Sequence, residues 1–209
     1  MSLATETTNL DILSHGWLNL GLSQHSWPDE GVSEGRRSRI GVRLKETITL
    51  LNRLWSEDEV SFKGNHHHLE RPTDVRPFQE GGIPLIVAGV TSLAVNLTAT
   101  LAYGWVHPSG GNPDGAARGC DYVRQGAARA GRHPDSLELG KIIYISVDDS
   151  RFRAKNQTAP LLQSFYTGYN VDSWCAFGNP AECAAFIQGF LDVGITTLML
   201  CLVPADVGP

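Results

Sequence analysis

At 209 residues the chain is long enough for one sizeable core, and nothing in it reads as a linker, so a single domain over residues 1–209 is expected. Its 17 basic and 22 acidic residues give a formal net charge of -5, which lacks the basic footprint that the phosphates of nucleic acid require. No basic-then-apolar leader opens the sequence, and no uncharged apolar run approaches the roughly 20 residues that span a bilayer, so a cytoplasmic protein without membrane partners is expected.

Along the chain, Leu18, Leu20 and Leu22 alternate with Asn19 and Gly21, a strand signal that runs into Ser23, Gln24 and His25. A glycine- and arginine-rich loop, residues 31–41, leads to a helix on which Leu44, Ile48, Leu51 and Trp55 form one apolar face. Val60–Phe62 and His66–Leu69 flank Lys63-Gly64-Asn65, which suits a peripheral hairpin. After Pro84, the run Leu85-Ile86-Val87 is apolar on both faces, as in a parallel strand covered by helices. It enters a helix striped by Leu93, Leu97 and Leu101, and then a second short strand ending near His107.

Pro113–Ala130 reads as a helix with Gly131 at its C-cap, and Lys141–Val147 as the next strand. The tract Asp148–Phe177 mixes aromatics, Gly and Pro without period, so it reads as a long loop or irregular helix over the site. Pro180–Val193 is a helix with Ala184, Ile187 and Leu191 inward, followed by a strand over Thr196–Leu202. Cys120, Cys175, Cys183 and Cys201 show no CxxC pair and lie mainly in apolar surroundings, which favours buried free thiols over a disulfide frame or metal site. Strands alternating with helices give an α/β class, an incomplete (β/α)8 TIM-type barrel of about five parallel strands with flanking helices.

Several segments, in order, resemble the bacterial luciferase-like monooxygenase family, whose members use FMN or the deazaflavin coenzyme F420. Leu10–Leu22 (LDILSHGWLNLGL) resembles its "LD-x-LS-x-GR" run, and Arg43–Leu69 its "RL-x-E-x-I-x-x-L-x-x-LW…F-x-G" helix and extension. Pro84–Thr91 (PLIVAGVT) sits where the family has a proline-led strand ending in small residues, and Ala102–Pro108 (AYGWVHP) resembles "A-R-x-G-D-G-W". Gly178–Leu200 resembles the closing helix and last strand. Relative to the family, the first three strand-helix units and the closing helix are expected to be absent. The resemblance implies a flavin- or deazaflavin-dependent oxidoreductase or monooxygenase acting on a small organic substrate.

Active sites of such barrels lie at the carboxyl ends of the strands, which selects candidates by position. Ser23, Gln24 and His25 come first, with His25 as candidate acid or ring-carbonyl donor, or else a surface histidine without a role. Ala88, Gly89, Val90 and Thr91 form the second set, where backbone amides and the Thr91 hydroxyl would hold a cofactor phosphate at a helix N-terminus; the alternative is an ordinary tight turn. His107, Ser109 and Gly110 form the third, although some deazaflavin enzymes of the family keep a basic residue near Gly111. His66, His67 and His68 alternate faces on a strand and so fit a solvated hairpin better than a metal site. Arg36, Arg37, Arg39 and Arg43 reach a phosphate or substrate carboxylate, or are solvated or paired with Glu34 and Glu46.

No G-x-S-x-G elbow, P-loop or HExxH is present, which removes simple serine hydrolase, NTPase and zincin readings. The rival class is a non-catalytic shortened barrel that binds flavin or serves as an interaction module. A half-open parallel sheet exposes an apolar edge, so both classes predict a homo-oligomer.

Overall fold

The computed structural model describes residues 3–23, 34–72, 75–166 and 174–203. The chain divides into two compact units: Met1–Trp105 with Gly126–Leu137, and Val106–Gln125 with Glu138–Pro209.

In the first unit, α1 (Leu3–Leu13) precedes β1 (Leu20–Ser23), α2 (Glu34–Ser56), the antiparallel hairpin β2 (Glu59–Lys63) and β3 (His68–Pro72), β4 (Leu85–Ala88) and α3 (Ser92–Leu101). β1 and β4 pair in parallel, Leu20 opposite Leu85 through Ser23 opposite Ala88, and β5 (Gly104–His107) begins beside β4 where the Tyr103 N–H donates to the Leu85 carbonyl. The predicted face of α2 is the buried one: Leu44, Ile48, Leu51 and Trp55 pack with Leu85, Val87 and Leu97. That helix starts seven residues before Gly41, because the stretch expected to be a loop continues its turns.

Helix α1 carries no apolar period by which the sequence could announce it, since its buried residues are Ala4, Thr7, Thr8 and Asp11. Asp11 is fully buried, and its carboxylate accepts from the Gln79 N–H at 3.0 Å and Gln79 Nε2 at 2.8 Å. A polar group buried this way keeps its place through such donors.

The second unit holds residues 113–125 of α4 (Pro113–Arg129), which starts from the Asn112 cap, then β6 (Glu138–Val147), α5 (Arg151–Phe165), β7 (Cys175–Gly178), α6 (Pro180–Asp192) and β8 (Thr197–Leu202). β6 pairs in parallel with β7 over Tyr144–Val147 and with β8 over Gly140–Ile145. The tract after Asp148 differs from the loop or irregular helix expected of it. It holds a 15-residue helix with Pro160 in its interior, and a further strand, β7. α5 buries Ala154, Thr158, Ala159 and Leu162, residues too small or polar to announce a stripe, and is opened by the Ser150 cap. On α6 the inward residues are Cys183 and Phe190 while Ala184 is exposed, a rotation of the face away from the predicted one. Cys120, Cys175 and Cys183 are buried and Cys201 is partly buried, and the four form no disulfide.

Candidate active site turns

In the first unit the carboxyl ends of β1 and β4 lie side by side, since Ser23 pairs with Ala88. The chain leaves β4 through Gly89 at φ +139, a backbone setting that only glycine adopts freely. A Cβ there would sit 3.3 Å from Ala94 Cβ, so the turn packs closely on α3. The Gly89 carbonyl accepts a 2.7 Å hydrogen bond from Nε1 of the buried Trp105, which pins the turn from below. Val90 is exposed at the tip, and Thr91 is the N-cap of α3, its Oγ1 accepting from the Ala94 N–H at 3.2 Å.

With Ala94 capped, the Ser92 and Leu93 amides of the first turn have no intrahelical acceptor and point along the positive end of the helix dipole. This donor set of neutral amides and hydroxyl fits a phosphate. Ser23, Ala88, Gly89, Val90 and Thr91 are therefore gathered at one strand edge. Gln24 and His25 lie outside the described residues.

The second unit supplies another turn, after β5. His107 is buried, its Nδ1 lies 3.0 Å from the Pro108 carbonyl oxygen, and burial holds its imidazole below the usual histidine range. Ser109 is buried and Gly110 half-buried. Gly111 takes φ +88, and a Cβ there would stand 3.0 Å from His107 Cε1. The imidazole thus occupies the space into which a side chain at 111 would begin.

Sequence reasoning overlooked the residue on which this turn rests. Lys141 of β6 is completely buried, and its ammonium donates to the carbonyls of Pro108 at 2.6 Å, Ser109 at 2.9 Å and Ile142 at 2.7 Å, 5.1 Å from the centroid of the Phe190 ring. Burial pushes its pKa down to about 7, partly offset by Cys175. The available signal was a lone lysine inside the apolar run Leu139–Ile143. Ser109 also donates through Oγ to the Tyr166 hydroxyl at 3.4 Å, and the Tyr166 and Tyr144 hydroxyls are 2.7 Å apart. Burial and Tyr166 raise the Tyr144 phenol, so it stays protonated at neutral pH.

The histidine run lies elsewhere. His68 is on β3, whereas His66 and His67 belong to the hairpin turn, whose Asn65, His66 and His67 amides donate to the Glu46 carboxylate. His67 Nε2 is 3.1 Å from Thr47 Oγ1. Arg36, Arg37, Arg39 and Arg43 all lie on α2, with Arg39 and Arg43 exposed; the side chains of Arg36 and Arg37 lie outside the described residues.

The chain is similar to an F420-dependent glucose-6-phosphate dehydrogenase from Mycolicibacterium gilvum, 24% identical over 181 residues that cover 76% of this chain and 54% of the relative. It spans about half the length of the curated relatives it matches. In fold it is similar to a solved monooxygenase, RslO1 from Streptomyces bottropensis, at TM-score 0.77 and 20% identity, covering 95% of this chain and 65% of that one. It is equally similar to an F420-dependent secondary alcohol dehydrogenase in complex with an F420-acetone adduct, at TM-score 0.77 and 19% identity over 96% of this chain and 68% of that one. These likenesses agree with the expected α/β, (β/α)8-type architecture. The family model for luciferase-like monooxygenases matches residues 1–189, and the chain belongs to that family.

Proposed function

We propose that this chain carries the phosphate-binding half of a flavin- or deazaflavin-dependent oxidoreductase site, taking FMN or coenzyme F420 and serving a small organic substrate. The observation that carries the reading is the β4–α3 turn: a glycine at φ +139, a threonine cap and first-turn amides without intrahelical acceptors, beside Ser23 at the carboxyl end of β1. Such a terminus favours a phosphate by dipole and by directed N–H groups. Membership of the luciferase-like family and F420-dependent relatives support the choice of cofactor.

In this reading the Ser92 and Leu93 amides hold the phosphate, Thr91 fixes the helix start, and Trp105 keeps the turn from sagging. Ser109 and Gly110 contribute a second, separately organised set of polar groups, and the neutral imidazole of His107 sits behind them. When bound, the cofactor supplies the redox chemistry, and the protein supplies position, a dry surface and hydrogen bonds. Tyr144 keeps its proton at neutral pH, its hydroxyl 2.7 Å from that of Tyr166, and the Lys141 ammonium is engaged by backbone carbonyls.

Titrating the purified chain with FMN and with F420, followed by absorbance and fluorescence, tests the reading. Saturable binding, weakened by Thr91→Ala or by a bulky residue at Gly89, supports it. Binding of neither cofactor, with the fold intact, refutes it. A second reading, a cofactor-binding module without turnover, has its own support in β8, where Met199, Leu200 and Leu202 are exposed apolar residues suited to covering by another chain. Cofactor bound tightly without oxidation or reduction of any supplied substrate, in a homo-oligomer, favours that reading.

A further inference from the structure

We infer that Lys141 is a positioning residue: its three ammonium hydrogens lock the Pro108–Ser109 turn into the shape in which Ser109 and Gly110 meet the cofactor. The inference rests on the cofactor reading above and deepens it.

The count of donors and acceptors is what singles out this residue. An ammonium has three hydrogens, and Nζ of Lys141 faces three carbonyl oxygens, those of Pro108, Ser109 and Ile142, at 2.6 to 2.9 Å. Two of those carbonyls belong to the turn after β5 and the third to β6, so the lysine ties a loop to a strand. Ser109 is held at both ends, its carbonyl by Lys141 and its Oγ against the Tyr166 hydroxyl. The side chain lies against the Phe190 ring and has no exposed surface.

A lysine in this setting is a cost to the fold, since burial disfavours its charge. A leucine or methionine would fill the same space without that cost. The turn is what the charge serves. The titratable groups acting on Lys141 are Cys175 on β7 and His107 on β5, and the ring of Phe190 on α6 completes its surroundings. His107 is held below the usual histidine range and Tyr144 above the usual tyrosine range, so neither titrates between pH 7 and 9.

Loss of one proton leaves Lys141 two donors for three carbonyls. Cofactor affinity is therefore expected to fall as pH rises through about 7, whereas ionisation of a bound phosphate monoester, complete by about pH 7, strengthens it.

The experiment measures Kd for FMN and F420 in the full chain, wild type, Lys141→Met, Ser109→Ala and the double variant, from pH 6.5 to 9. Lys141→Met is expected to weaken binding about tenfold or more. In the Ser109→Ala background the same change is expected to weaken binding less than in wild type, because the Ser109 hydroxyl is one of the groups the lysine positions, while the carbonyls it holds remain. Additive losses, or an unchanged Kd in folded Lys141→Met, overturn the inference. If Lys141→Met does not fold, the wild-type profile decides: affinity falling severalfold from pH 6.5 to 8.5 supports the inference, and a flat or rising wild-type profile overturns it. If neither cofactor binds, the function proposal fails, and hydrogen exchange of the peptide over residues 107–112 judges the lysine alone. Protection lower at one pH in Lys141→Met, or in Lys141→Gln where the former does not fold, than in wild type supports its role, and equal protection overturns it.

Discussion

Gly89 offers the sharpest test of the β4–α3 turn. Substitution by alanine places a Cβ on a backbone at φ +139, a region closed to L side chains, and sets that carbon 3.3 Å from Ala94 Cβ, tighter than an ordinary contact. The backbone strain alone costs about 1–3 kcal/mol. For a chain of this size that corresponds to a Tm lower by roughly 2–12 °C. Gly21 is the control: it lies on β1 without positive φ, and a methyl added there would meet nothing within 4 Å, so Gly21→Ala should leave Tm nearly unchanged. Thermal unfolding by circular dichroism reads the stability and flavin fluorescence reads cofactor affinity. Equal Tm values for Gly89→Ala and wild type would refute the strain argument. A lowered Tm with FMN and F420 affinity intact would show that the turn is structural and holds no phosphate.

Three further outcomes follow from packing and charge. The Arg132 Nη1 donates to the carbonyls of Thr98, Ala99 and Ala102 at the end of α3, so Arg132→Met should cost about 1–3 kcal/mol in urea unfolding, and a change under about 0.5 kcal/mol would show those carbonyls satisfied without it. A Cβ on Gly126 would stand 2.8 Å from Ala99 Cβ, so Gly126→Ala should destabilise by about 1–3 kcal/mol, and Ala99→Gly should recover part of that loss in the double variant; additive losses would contradict the contact. Lys141 has its folded pKa at about 7, below its ordinary 10.5, so the unfolded chain binds the extra proton between those values and stability should rise with pH across that window; Lys141→Met should flatten the rise, and a wild-type profile that falls there would contradict the burial argument.

Much of the scaffold was legible because large apolar residues repeat at the period of their element. Leu44, Ile48, Leu51 and Trp55 announced the buried side of α2, and the unbroken Leu85-Ile86-Val87 announced a strand covered on both faces. The elements that escaped are those buried through small or polar residues. α1 turns Thr7, Thr8 and Asp11 inward, α5 turns Ala154, Thr158 and Ala159 inward, and β7 is only four residues long. The β4–α3 turn was legible from Gly89 and Thr91, since glycine and a capping hydroxyl mark a strand-to-helix junction by chemistry alone. Lys141 was not, because its three acceptors are backbone oxygens, two of them more than thirty positions away.

The single carboxylate of Glu46 gathers the amides of Asn65, His66 and His67, and so fastens the β2–β3 finger to the long helix at its tip. Val60, Phe62 and Leu69 pack one face of the finger on the core, so only the outward positions Glu59, Ser61, Lys63, His68 and Glu70 are free to diverge, while any replacement must present three consecutive N–H groups to the same acid. Grafts of foreign fingers onto this scaffold should then need both that handhold and an apolar inner face, and because the three amides hold the Glu46 carboxyl below the usual carboxylate range, the tip should stay fastened through mild acidification.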